Sequence, residues 1–192
     1  MVVSSKTRKV LWIALAGLLV AGCAGMDPED FAGTGPELRL EDYFAGRSVA
    51  YGIFEDRFGT LRREFKVVID GRMDGDTLVL DEDFFYADGE RDRRVWRIRR
   101  TGENTYEGRA DDIVGVARGV AYGKALNWRY KMDLAVGEDT WRVGFDDWMF
   151  LQADGVLINR AQVTRWGIEI GSVTITFFRP ETATVIAGTD TP

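Results

Sequence analysis

The stretch Leu126-Asn127-Trp128-Arg129-Tyr130-Lys131-Met132-Asp133-Leu134-Ala135-Val136 decides the fold. Leu126, Trp128, Tyr130, Met132, Leu134 and Val136 occupy one face, with Asn127, Arg129, Lys131 and Asp133 on the other. This is period two over a full strand, and it requires one face against a core and one against water. A helix would place these side chains on every side.

Working outward, strand-like runs recur at Thr77 to Tyr86, Asp92 to Arg100, Thr140 to Leu151 and Val156 to Arg165. Turn signals fall between them: Arg72-Met73-Asp74-Gly75-Asp76, Ala87-Asp88-Gly89-Glu90, Thr101-Gly102-Glu103-Asn104, Gly123-Lys124, Gly137-Glu138-Asp139, Ala153-Asp154-Gly155 and Gly171-Ser172. Asp-Gly pairs between alternating apolar runs are hairpin signals. Strands in series with short turns and no helical period make an antiparallel up-and-down sheet. Closure removes the edges of so long a sheet. The expected fold is all-β, a lipocalin-like barrel of about eight to ten strands, with a β-sandwich as the alternative. Leu38 to Phe44 is expected to form one helical turn before the first strand.

The same parity sends polar groups inward. Glu82 shares a face with Leu78, Leu80, Phe84 and Tyr86, and Arg94 shares one with Trp96 and Ile98. Asp147 shares a face with Trp141, Val143, Phe145, Met149 and Leu151, and Asn159 shares one with Leu157, Ala161 and Val163. A bulge in any of these strands would reverse its assignment. Isolated buried charges cost several kcal/mol, so these groups must be paired, solvated in a cavity or engaged by a ligand. Three readings follow. In the first, Glu82, Arg94, Asp147 and Asn159 form a satisfied internal network. In the second, Arg94 meets a ligand's acidic head while Tyr86 and Tyr130 supply hydroxyls and Trp96 and Trp128 line the tail. In the third, Glu82 and Asp147 act as acid and base on a lipid.

Other features read more plainly. Arg91, Arg93, Arg94, Arg97, Arg99 and Arg100 form a basic run that reads mainly as an ion-paired solvent face. Asp74-Gly75-Asp76 and Asp81-Glu82-Asp83 lack calcium-loop spacing. Gly115, Ala117, Gly119 and Ala121 make a small-residue face that admits either a ligand or a closely packed neighbour.

Composition narrows the chemistry. The chain has 192 residues, no histidine and one cysteine, Cys23. Ser-His-Asp and Cys-His nucleophile systems, the usual zinc ligand sets and histidine pH switches are excluded, and no cofactor or metal is expected. Cys23 closes the run Leu11 to Cys23, LWIALAGLLVAGC, which Lys6, Arg8 and Lys9 precede. A charged n-region, an apolar h-region and a small-residue cleavage site make a signal peptide over residues 1–22. Val20-Ala21-Gly22-Cys23 resembles a bacterial lipobox, which implies cleavage before Cys23 and its acylation. Removal takes three basic residues and no acid, leaving 22 basic against 31 acidic, formally near −9. Such a chain is repelled by nucleic acid and anionic head groups, so the acyl chains rather than a basic patch must hold it to the membrane. Ala24 stands where Asp would favour inner-membrane retention, so by that resemblance the expected address is the outer membrane of a Gram-negative envelope, facing the periplasm. Residues 23–37 read as a tether whose Ala24 to Gly35 portion reaches at most about 40 Å, and residues 180–192 as a disordered tail.

The series Tyr51-Gly52-Ile53-Phe54-Glu55-Asp56-Arg57, Leu80-Asp81-Glu82-Asp83-Phe84, Arg94-Val95-Trp96, Gly123-Lys124-Ala125-Leu126-Asn127-Trp128, Phe145-Asp146-Asp147-Trp148-Met149 and Leu157-Ile158-Asn159-Arg160 resembles a proteobacterial lipoprotein family known only as a domain of unknown function. The likeness runs from Leu38 to Arg179. It implies a lipocalin-like barrel on the periplasmic face of a membrane and brings no activity, ligand or functional residue. The leading expectation is a membrane-tethered protein holding a hydrophobic or amphipathic ligand, such as a fatty acid or other lipid, in its barrel. The alternatives are a lipid-acting enzyme using Glu82 and Asp147, and a structural envelope lipoprotein with a protein partner.

Overall fold

The computed structural model describes residues 25–180. Ten antiparallel strands close into one barrel: β1 (Gly46–Asp56), β2 (Leu61–Asp74), β3 (Thr77–Tyr86), β4 (Arg91–Arg100), β5 (Thr105–Arg109), β6 (Ala117–Tyr122), β7 (Ala125–Val136), β8 (Asp139–Leu151), β9 (Leu157–Arg165) and β10 (Ile168–Phe178). Each strand pairs with its sequence neighbours, and β10 closes on β1 from Val49↔Phe178 to Asp56↔Gly171. The barrel, not the sandwich, is the fold. All ten strands and the core cluster that they enclose lie within residues 38–178.

The two ends differ. At the lower end a one-turn helix, α1 (Leu40–Tyr43), turns Leu40, Tyr43 and Phe44 inward as a plug. The Tyr43 hydroxyl donates to the Phe177 carbonyl (3.1 Å), and the Phe44 ring meets Phe177 edge-on at 5.5 Å. The Phe44 carbonyl sits where a Cβ on Gly71 would stand, so only glycine lets β2 accept the plug. Above it, Leu78, Leu80, Trp96, Ile98, Leu126, Trp128 and Leu157 are buried. At the upper end no element covers the bore among the described residues. There Phe54, Phe65, Phe84, Tyr86, Trp141 and Ile170 point inward yet stay partly open to solvent.

The outer wall is charged and the bore apolar, the reverse of a membrane-spanning barrel. Cross-strand pairs such as Arg93 with Asp81, Arg142 with Asp133 (2.8 Å) and Arg129 with Asp146 (3.0 Å) tile it. Arg93 and Arg99 of the basic run are part of this tiling, Arg99 facing Asp76, whereas Arg100 pairs with Glu41 of the plug. Among the described residues no helix is long and apolar enough to cross a membrane.

Three local expectations change. Gly171-Ser172 is not a turn: the hairpin tip is Trp166-Gly167, and Gly171 lies inside β10 beside a bulge. There its missing side chain admits the Glu55 carbonyl of β1. The small-residue face is filled from within, because the Trp128 ring lies across Gly119 and Gly108. Gly115 belongs to the preceding loop and not to that face. The stretch read as a tether is partly docked: Pro28–Phe31 form a 3-10 turn, and Phe31 packs on Trp148 and Phe150 (6.1 and 5.5 Å). The Leu38 amide then donates to the Gly123 carbonyl (2.7 Å). Cys23, the signal segment and residues 181–192 of the tail lie outside the described residues.

Candidate functional site

A polar layer crosses the barrel at mid-depth, between the packed floor and the aromatic mouth. Parity brings it there. β3, β4, β7 and β8 keep an unbroken register against one another, so the inward assignment of Glu82, Arg94, Tyr130 and Asp147 holds. The two bulges fall elsewhere, at Arg62 of β2 against β1 and at Ile170 of β10 against β9. Glu82 stands directly opposite Arg94. Across β7 and β8, Trp128 is opposite Asp147, and Asn159 lies diagonally beyond on β9.

The layer includes a residue that periodicity did not reveal. Arg94 donates to the Asp112 carboxylate through Nε (2.8 Å), an Nη stands 2.7 Å from the same oxygen in an ion pair, and that Nη also reaches the Met132 sulfur (3.9 Å). Asp112 sits in the loop between β5 and β6, where strand alternation says nothing. The sequence signal was indirect: β5 and β6 are short, and Ile113 beside Asp112 is an apolar residue in a turn. Ile113 is buried and bridges to Met132, drawing the loop inward. Arg94 is therefore committed to a protein carboxylate instead of standing free for a ligand's acidic head.

The carboxylates are less well served. Asp147 is 6% exposed, and its Oδ1 has no hydrogen-bond partner. Burial pushes its carboxyl up to about 7 against the opposing pull of the Tyr130 hydroxyl, while Asp146 adds to the rise. Burial likewise pushes Glu82 up to about 7, partly offset by the charge of Arg94 and reinforced by Asp112. Tyr130 rises well above the ordinary phenol range, from burial first and the nearby Asp147 second. Arg94 is raised because Glu82 and Asp112 together outweigh its desolvation. Asn159, only 2% exposed, leaves Nδ2 without a partner, and so does Asp112 its Oδ1.

The four aromatic candidates divide by depth. Trp96 and Trp128 are buried floor residues, edge to face at 6.0 Å. Tyr130 stands above them, edge-on to Trp96 (5.6 Å) and stacked on Phe145 (5.0 Å). Tyr86 belongs to the mouth, stacked with Phe84 and lying under the Arg63 guanidinium (3.7 Å). Among the described residues no cluster of three or more acidic or thiol ligands is placed to hold a metal.

A family model described as a protein of unknown function (DUF3833) matches residues 17–179, most of the chain. The chain belongs to this family. Its closed barrel agrees with the lipocalin-like architecture that the sequence resemblance implied. No curated protein matches the chain.

Proposed function

We propose that this family member is an envelope lipoprotein, tethered to the outer membrane through acylated Cys23, whose barrel holds a hydrophobic or amphipathic molecule of lipid type. One observation carries this reading: incompletely satisfied polar groups cross the bore beneath an uncovered mouth lined by partly solvated aromatic side chains. A structural network would be fully paired, because leaving buried donors and acceptors unmet costs about 1–3 kcal/mol each. An amphipath entering from the mouth would meet the polar layer with its head and the aromatics with its tail.

The docked N-terminus orients the molecule. From Cys23 to Pro28 the chain spans at most about 18 Å, and it meets the barrel on the lower wall beside Phe150. An anchor at Cys23 therefore turns the plugged end toward its own bilayer and the mouth away from it. Ligand would be exchanged with whatever lies on the far side.

Native mass spectrometry of the chain lacking residues 1–23, followed by lipid extraction, tests the proposal. Copurified lipid, released on denaturation, is the expected result. A barrel that comes out empty and takes up nothing from envelope lipid extracts would sink it. The carboxyls near 7 also favour acid–base chemistry on a lipid as a second reading. Burial raises both in the same direction, however, whereas an acid and a base need values pushed apart. Asp147→Asn retaining full turnover of an envelope lipid would remove that alternative.

A further inference from the structure

The charge balance of the polar layer says which head group belongs there. Three carboxylates, from Glu82, Asp112 and Asp147, face the layer, and one guanidinium, Arg94, answers them. Asp112 takes Arg94's charge-assisted hydrogen bond and its closest ion pair. Glu82 meets Arg94 through charge alone. Asp147 has the Tyr130 hydroxyl beside it and an unpartnered oxygen. The surplus is acidic, and the unmet atoms are mostly acceptors.

An independent sign that the layer is incomplete comes from Asn159. It is a neutral amide, more than nine-tenths buried, on the same inward face and diagonal to Asp147, with Nδ2 unpartnered. A side chain selected only for packing at such a depth would be apolar, as its inward neighbours Leu157, Ala161 and Val163 are. A divalent cation does not explain the surplus, because the three carboxylates do not converge on a common point.

We infer that the barrel selects amphipaths whose head is a cation or a hydrogen-bond donor, a lipophilic amine above all, and discriminates against carboxylate heads such as that of a free fatty acid. An ammonium head carries three donors and one positive charge, which Asp147 can accept on its unpartnered oxygen, while Glu82 adds negative charge to the same layer. A carboxylate head would add a fourth anion to a layer with one cation already taken. This inference rests on the proposed binding function and deepens it.

The test uses the chain from residue 23 onward carrying Cys23→Ser, with dodecylamine, dodecanol and dodecanoate below their micellar concentrations at about pH 8. Tryptophan fluorescence reports binding, since Trp96 and Trp128 lie directly under the layer. Dodecylamine is expected to bind at least about tenfold more tightly than dodecanoate, with dodecanol between them. Asp147→Asn and, separately, Glu82→Gln should each narrow that gap several-fold, so a variant that fails to fold leaves the other to decide. Dodecanoate binding as tightly as dodecylamine, or a gap that both folded variants leave unchanged, overturns the inference while leaving the barrel a binding protein. Binding of none of the three probes removes the binding function itself.

Discussion

The lower and upper halves of the barrel use the same alternation and similar aromatic content, yet they differ in kind. Below the polar layer, Leu78, Ile98, Leu126 and Leu157 are packed against a plug; above it, Phe54, Phe84, Trp141 and Ile170 point inward yet stay partly exposed. Strand patterning cannot produce this difference, because it is identical in both halves. The plug produces it. One short helix gives the lower side chains partners on every side, and the upper ones lack an equivalent. Apolar area left wet contributes little to stability, and it is what an entering molecule can bury.

Truncations should separate the halves most strongly. Leu126→Ala, at a fully buried position, is expected to cost about 3–5 kcal/mol in urea unfolding, and Ile170→Ala only about 1. Equal losses would mean that the mouth is packed as tightly as the floor, and the comparison would break. Arg94→Met comes next, at about 2–4 kcal/mol, since it strands Asp112 and Glu82 beneath the mouth. Arg93→Ala, which breaks an exposed pair with Asp81, should cost under about 1 kcal/mol.

Acidity sharpens the picture further. Glu82 and Asp147 hold their protons up to about pH 7 in the folded chain but release them near 4 when unfolded. The folded state thus binds more protons between these values. Stability is fully present below about pH 4 for this pair and is lost as pH rises to about 7, by up to about 1.4 kcal/mol per unit and group. Thermal melts should therefore improve on going from about pH 7.5 to 5.5, and Asp147→Asn should flatten much of that slope. A Tm independent of pH in both chains would show that the layer is better paired than its geometry indicates. The smallest effect belongs to the rim. Trp166, at a hairpin tip with φ of 53° and 84% exposed, strains its backbone without burying its ring. Trp166→Gly should raise stability by about 0.5–1 kcal/mol in the same assay.

Much of this architecture is legible in the amino-acid sequence. Period two in β7 placed Trp128, Tyr130 and Met132 on the inner face, and the same rule carried Glu82, Arg94, Asp147 and Asn159 inward because β3, β4, β8 and β9 gain no extra residue of their own. Where local order was broken, reading failed. Gly171 looked like a turn and is a point of close strand contact, since glycine marks either equally well. Asp112 escaped notice because a loop has no period, although it is the residue that claims Arg94.

By itself, then, the amino-acid sequence determined an antiparallel up-and-down sheet with one polar and one apolar face, pointed to a barrel over a sandwich, and named four of the polar groups that cross the bore. Alternation is a local property, and each strand declares it alone. Only the tertiary structure decided which of those charges are paired, which end is stoppered, and that Trp128 fills the space over Gly108 and Gly119. These outcomes depend on groups far apart in the chain meeting across the barrel, and no local pattern records whom a side chain will meet.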